Sequence, residues 1–187
     1  MKYIAFMFSG DIDSPYNHML LQIIDTLDKS KYTPIIFVKN KDGIFGKKIS
    51  KLNAQIYDIK NLPSVNPNAS RFWGFIQSFK ASVFLLFRLP SSKIDFFVSA
   101  EMGCLLSSSP VFFLRRTSVL WFQESVWENY PIANVWTGFC KKFFASNDVV
   151  YHSLPKSIQK YTQVLLPSSE DDKTNRSELK KIISDLF

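Results

Sequence analysis

The polar residues with chemistry to offer are few, and they fall at the ends of apolar runs. Ser118-Val-Leu-Trp-Phe122 delivers an amide, a carboxylate and a hydroxyl in succession, at Gln123, Glu124 and Ser125. Of the first two, only the carboxylate can take a proton near neutral pH; the amide can orient a hydroxyl. The first apolar run, Tyr3 to Phe8, ends in Ser9, Gly10 and Asp11, with Tyr16 and His18 just beyond. A third run, Ile94 to Val98, leads into Ser99, Glu101 and Met102. His18 sits where a helix should begin, in a basic neighbourhood that suits an anionic or hydroxylated ligand. A structural role is the plainer alternative for both His18 and His152.

Other chemistries find no support. Gly43-Ile-Phe-Gly46-Lys47-Lys48 has too few residues between its glycines for a nucleoside-triphosphate loop, and no Ser or Thr follows the lysine. There is no Gly-x-Gly-x-x-Gly for a dinucleotide and no Gly-x-Ser-x-Gly nucleophile turn, and neither Cys104 nor Cys140 has a histidine nearby in sequence. With two histidines and two cysteines, no metal-ligand cluster is expected, and no cofactor.

The chain has 187 residues, 46% apolar and 21% charged, enough for one ordinary domain with a real core. Its net charge of +7 lies entirely in residues 1–93, while 94–187 balance. That asymmetry favours phosphorylated ligands or anionic lipid, or is simply a basic solvated face. Aromatic and basic residues together could also serve single-stranded nucleic acid, but no recognisable module accompanies them, so no nucleic-acid partner is expected. The apolar start is too short for a signal peptide and lacks a cleavage site, and no stretch is long enough to span a bilayer. A reduced, cytoplasmic setting is the default.

Positioning these residues requires strands that alternate with helices. Strands are expected at Tyr3–Phe8, Thr33–Val38, Gln55–Ile59, Ile94–Val98, Ser118–Phe122, Asp148–Tyr151 and Val164–Leu166. Helices are expected from Ser14, over Gly43–Leu52, Arg71–Leu89, Glu101–Ser108, Ala133–Ala145 and Pro155–Thr162. Residues Pro110–Arg116 suit either a strand or a helix with a basic end. The alternation implies an α/β, Rossmann-like, doubly wound and mostly parallel sheet with helices on both faces, whose ligands bind at the carboxyl ends of the strands. Residues 1–166 form this domain; 167–187 read as a polar linker followed by an amphipathic helix with Leu179, Ile182, Ile183 and Leu186 on one side.

The long helix carries Trp73, Gln77, Lys80, Phe84 and Arg88 along one side and Phe72, Phe75, Ile76, Phe79, Val83 and Leu86 along the other. The second side is suited to the core. The first mixes rings with cations, which marks Trp73, Lys80, Phe84 and Arg88 as membrane-interface candidates unless the helix is packed under a neighbour.

The run through Gln123-Glu-Ser125 resembles the strand and loop in the N-terminal half of family-4-like glycosyltransferases of the GT-B fold, where the strand often ends in His-Glu-Ser. Lys93-Ile-Asp-Phe-Phe-Val-Ser-Ala100, Asp148-Val-Val-Tyr-His-Ser153 and Arg176-Ser-Glu-Leu-Lys-Lys181 are similar to stretches of that family in the same order. The resemblance implies an acceptor-binding domain for a glycan or lipid-linked acceptor, inactive without a second domain or separate subunit that binds the nucleotide sugar. It implies Glu124 or His18 as the catalytic group, since Gln123 stands where many relatives have histidine, or a step that needs no side-chain base. It also implies an acceptor site built from Ser9, Gly10, Asp11, Tyr16, Glu101, Met102, Gln123 and Ser125. Glu170 and Glu178 have the spacing of the family's donor-site carboxylates but lack its glycines, and are read as an accidental match. The alternatives are a non-catalytic subunit that recruits a catalytic or donor-binding partner to the inner face of the membrane, and another sugar-nucleotide enzyme of the same fold, such as an epimerase.

Overall fold

The computed structural model describes residues 1–8, 15–90, 93–99, 102–123, 126–128 and 133–164. Strands run over Lys2–Phe8 (β1), Tyr32–Val38 (β2), Gln55–Asp58 (β3), Phe96–Ser99 (β4), Ser118–Gln123 (β5), Cys140–Ala145 (β6) and Thr162–Val164 (β7). They form one sheet in the order β3-β2-β1-β4-β5-β6-β7, every neighbouring pair parallel. The central strands are continuous apolar runs because both of their faces are covered: Ile4 to Phe8 and Ile35 to Val38 are buried throughout. The edge strand β3 leaves Gln55 and Ile56 exposed.

Helices Pro15–Thr26 (α1) and Ile44–Ile49 (α2) cover one face. Met19, Leu20, Ile23, Ile24 and Leu27 of α1 meet Ile4, Phe6, Phe8, Ile36 and Val38 there. Helices Arg71–Leu86 (α3), Met102–Leu114 (α4), Ala133–Trp136 (α5), Asp148–Ser153 (α6) and Lys156–Gln159 (α7) belong to the other face. Its core joins Ala81, Leu85, Leu105, Phe112, Trp136 and Val150 to Met7, Phe37, Phe97, Trp121 and Phe143.

Three expectations need correction. Residues 140–145 form β6 rather than the end of a helix: α5 stops after one turn, Thr137–Phe139 makes a 3-10 turn, and Phe143 to Ala145 are buried between β5 and β7. Residues 148–151 are therefore helical, not a strand. Asn147 caps α6, its Oδ1 accepting from the Val150 N–H at 2.9 Å. The third concerns α3, whose buried face is made of Gly74, Ser78, Ala81, Ser82 and Leu85, while Phe72, Phe75, Phe79, Val83 and Leu86 are exposed. Small side chains let α3 approach α4 closely, and the Ser82 hydroxyl donates to the Ser107 carbonyl at 3.0 Å.

The ambiguous segment Pro110–Arg116 continues α4 through Pro110 as far as Leu114. The hydroxyls of Ser107, Ser108 and Ser109 donate to the carbonyls of Gly103, Cys104 and Leu105 one turn back, which satisfies them in a helix that is buried nearly all round. Residues 165–187, with the linker and terminal amphipathic stretch read from the sequence, lie outside the described residues.

Candidate functional site

Because every strand is parallel, the seven carboxyl ends lie along one edge, where open α/β sheets bind ligands. Gln123 closes β5 at this edge and is only 4% exposed. It is in register with Ala145 of β6, and its carbonyl accepts the Ser146 N–H at 3.1 Å. Strand alternation puts Gln123 on the same side as Val119 and Trp121, which belong to the α4-side core. Ser99 ends β4 fully buried and, by the same alternation, shares that side with Phe97.

Met102 opens α4 half-buried and packs against the same core, so it contributes shape more than polarity. His18 lies in the first turn of α1, half-buried, beside the fully buried Asn17. The fold thus brings Gln123, Met102 and His18 to one edge, with His18 entering from the opposite helical layer. Ser9, Gly10, Asp11, Glu101, Glu124 and Ser125 lie outside the described residues, and so does the side chain of Tyr16.

Sequence reasoning missed the adjoining polar group at the end of β6. Ser146 is buried, and its hydroxyl accepts from the Asn147 side-chain amide at 3.1 Å. Nearby, Ser153 ties the loop after β5 to α6: its hydroxyl accepts the Trp127 N–H at 2.8 Å and donates to the Val150 carbonyl at 2.7 Å. Trp127 leans on Trp121 with ring centroids 5.6 Å apart. This fixes the segment just past Gln123, Glu124 and Ser125. The signal was present in Ser146-Asn147-Asp148, a helix-start pattern directly after an apolar run.

Of the membrane-interface candidates, Trp73 is 60% exposed and Lys80 is exposed. Phe84 is half-buried against the core with the Arg88 guanidinium 4.7 Å from its ring centre, and Arg88 donates to the Asp58 carbonyl at 3.3 Å. Burial pushes the Cys140 thiol up to about 12. Cys140 also begins β6 at the edge away from the strand tips, so it is no nucleophile for this site. Among the described residues no three His, Cys, Asp or Glu side chains gather as metal ligands. No described helix is long and apolar enough to cross a membrane.

No protein-family model and no curated protein sequence matches the chain. Solved structures do. MurG of Acinetobacter baumannii superimposes with a TM-score of 0.59 at 15% identity, over 91% of this chain and 47% of that one. Anabaena HepE in complex with UDP and glucose gives 0.61 at 11% identity, over 98% and 50%. The lipopolysaccharide outer core galactosyltransferase WaaB gives 0.56 at 11%, over 92% and 50%. The chain spans about half the length of these structures, and its fold is that of one half of a GT-B glycosyltransferase.

Proposed function

We propose that this chain is the acceptor-binding half of a glycosyltransferase, working at the inner face of a membrane on a glycan or lipid-linked acceptor. The observation that carries the reading is the polar edge where Gln123, Ser146 and Asn147 end adjacent parallel strands, in a fold shared with half of HepE, a protein crystallised with UDP and glucose. In this reading the acceptor enters along the strand tips. Ser9 and Gly10 allow close backbone approach, and Asp11, Tyr16, Glu101, Met102 and Ser125 line the approach. Gln123, held by its strand, orients one acceptor hydroxyl. Glu124 or His18 takes the proton as that hydroxyl attacks the anomeric carbon, and the nucleotide leaves with the donor phosphate. The nucleotide sugar is presented by a second domain or subunit, so the chain alone turns over nothing.

The test is binding to arrays of immobilised glycans and lipid-linked saccharides, with Gln123→Ala alongside. The expected result is saccharide binding that Gln123→Ala weakens about tenfold, the worth of one hydrogen bond to a well-held polar group. Binding indifferent to Gln123→Ala, or no saccharide bound, would sink the reading. The large exposed rings of α3 favour a second reading, a non-catalytic subunit that brings a separate catalytic partner to the membrane. Co-purification of such a partner, with no saccharide binding by this chain, would select it.

A further inference from the structure

Part of the positive charge in the first half of the chain gathers at the tips of β2 and β3, on the same edge of the sheet as Gln123. Lys39 and Lys41 follow Val38, the last residue of β2. Lys60 lies just past Asp58, which ends β3 in register with Val38. Arg88 reaches this corner from the end of α3: its guanidinium, 4.7 Å from the Phe84 ring centre, donates to the Asp58 carbonyl at 3.3 Å.

Local structure does not account for these cations. Lys47 and Lys48 need no further explanation, since they lie in the last turn of α2, where positive charge complements the helix dipole. Lys39 and Lys41 precede Gly43, the N-cap of α2, and so stand at the end of the helix where a cation is disfavoured. The nearby carboxylates do not neutralise them. Asp58 turns its Oδ1 back onto the Lys60 N–H at 2.8 Å, and neither it nor Asp42 forms an ion pair with Lys39, Lys41 or Lys60.

The backbone that carries the two lysines is held in place. Asn40 Oδ1 accepts the N–H groups of Asp42 at 3.3 Å and of Gly43 at 3.1 Å. The Asn40 and Lys41 carbonyls press so closely on Gly46 of α2 that an added Cβ would stand 2.6 Å from the Asn40 oxygen. Lys39 is half-buried, while Lys41, Lys60 and Arg88 are exposed and open to a ligand. In the sheet order, Gln123 lies three strands from the β2 tip and four from the β3 tip, about 14–19 Å at the usual strand spacing. A single sugar ring does not span that distance; an oligosaccharide does.

We propose that the acceptor is an acidic oligosaccharide laid along the strand tips, its carboxylate or phosphate held by Lys39, Lys41, Lys60 and Arg88 while the reacting hydroxyl meets Gln123. This rests on the acceptor-binding reading and narrows it from saccharides at large to anionic ones. Lysines are compact charges on flexible stems, so they take either anion without demanding one geometry. The carboxylate would be that of a uronate; the phosphate would be that of a phosphorylated sugar or the one linking a saccharide to its lipid.

The experiment is binding of the full chain to arrayed glycans at low salt and at about 0.5 M NaCl, where exposed charges are screened. The array holds neutral glycans, uronate-bearing glycans of the same length, and lipid-linked saccharides whose only acid is the linking phosphate. Lys39→Gln/Lys41→Gln, Lys39→Arg/Lys41→Arg and Gln123→Ala are run beside the parent. The expected result is a preference for acidic over neutral glycans of roughly tenfold at low salt, lost at high salt. Lys39→Gln/Lys41→Gln should remove most of it, each exposed lysine being worth up to roughly fivefold, and Lys39→Arg/Lys41→Arg should keep it. Whether uronates or linking phosphates are preferred identifies the source of the anion, and either supports the proposal. Equal binding of neutral glycans, or an acidic preference that Lys39→Gln/Lys41→Gln leaves intact, overturns it and leaves the acceptor reading standing. Competition by polyglutamate as strong as that by an acidic glycan would show an indifferent basic face and overturn it as well. Lysine-dependent binding of acidic glycans that ignores Gln123→Ala upholds the anion corner and sinks the acceptor reading. No glycan bound overturns both.

Discussion

Replacing Arg116 by glycine should leave stability almost unchanged at low salt and raise it at high salt. The left-handed backbone at φ +55° costs a non-glycine residue about 1–2 kcal/mol. Glycine removes that cost but widens the unfolded ensemble, which takes back about 0.5–1 kcal/mol. The remainder favours glycine by about 0.5–1 kcal/mol. Against it stands the attraction between the exposed guanidinium and the C-terminal end of the α4 dipole, worth about 0.3–1 kcal/mol at low ionic strength. At about 1 M salt the Debye length is about 3 Å and that attraction is screened. Thermal melts of both proteins at low salt and about 1 M NaCl are therefore expected to coincide in the first and to differ by about 1–4 °C in the second, with the variant higher. Arg116→Ala, which keeps the strain, should gain nothing in either. A variant that melts several degrees lower at high salt would show that packing of the Arg116 stem outweighs the backbone strain, and the reasoning would fail.

Three further outcomes follow from local geometry. Gly46→Ala sets a Cβ against the Lys41 carbonyl and 2.6 Å from the Asn40 carbonyl oxygen; overpacking of about 3 kcal/mol, less about 1 kcal/mol of helix propensity gained, should lower stability by about 2 kcal/mol in urea denaturation. Asn147→Ala removes the cap of α6 and should cost about 1 kcal/mol by the same assay; no change would mean that the Val150 N–H finds water at no loss. Cys140, raised to about 12 in the folded chain, keeps its proton where the unfolded thiol has already lost its own. Its contribution is thus full below about pH 8.5 and fades as pH climbs toward 12. The stability advantage of the parent over Cys140→Ala should shrink by about 2 kcal/mol between pH 8 and 10; an unchanged gap would mean the thiol ionises freely in the folded state.

The parallel α/β arrangement could be read from the residues because β1, β2, β4 and β5 are short, mainly apolar runs closed by polar turns, and the order of helices between them fixes the crossover direction. The β5 tip was legible for the same reason: an apolar strand must end where Gln123 begins. The stretch after it was not. Phe143, Phe144 and Ala145 are buried on both faces of the sheet, so they carry no period that would separate strand from helix. Placing that strand too late hid Ser146 and Asn147 from the expected site. In α3 the error came from size: large rings were assigned to the core, whereas close helix packing selected Gly74, Ser78 and Ala81 and left the rings outside. Only the three-dimensional neighbour, α4, could reveal this. Pro110 inside α4 is similar, since burial among apolar neighbours holds a helix that local rules would break.

The central claim is that this chain receives the acceptor and leaves the activated sugar to another domain. Isothermal titration of the chain with UDP-glucose and a panel of other nucleotide sugars tests it most directly. The account predicts no heat beyond dilution for any of them, from a protein that still binds a saccharide through Gln123. Saturable one-to-one binding of a nucleotide sugar by this chain alone would contradict it.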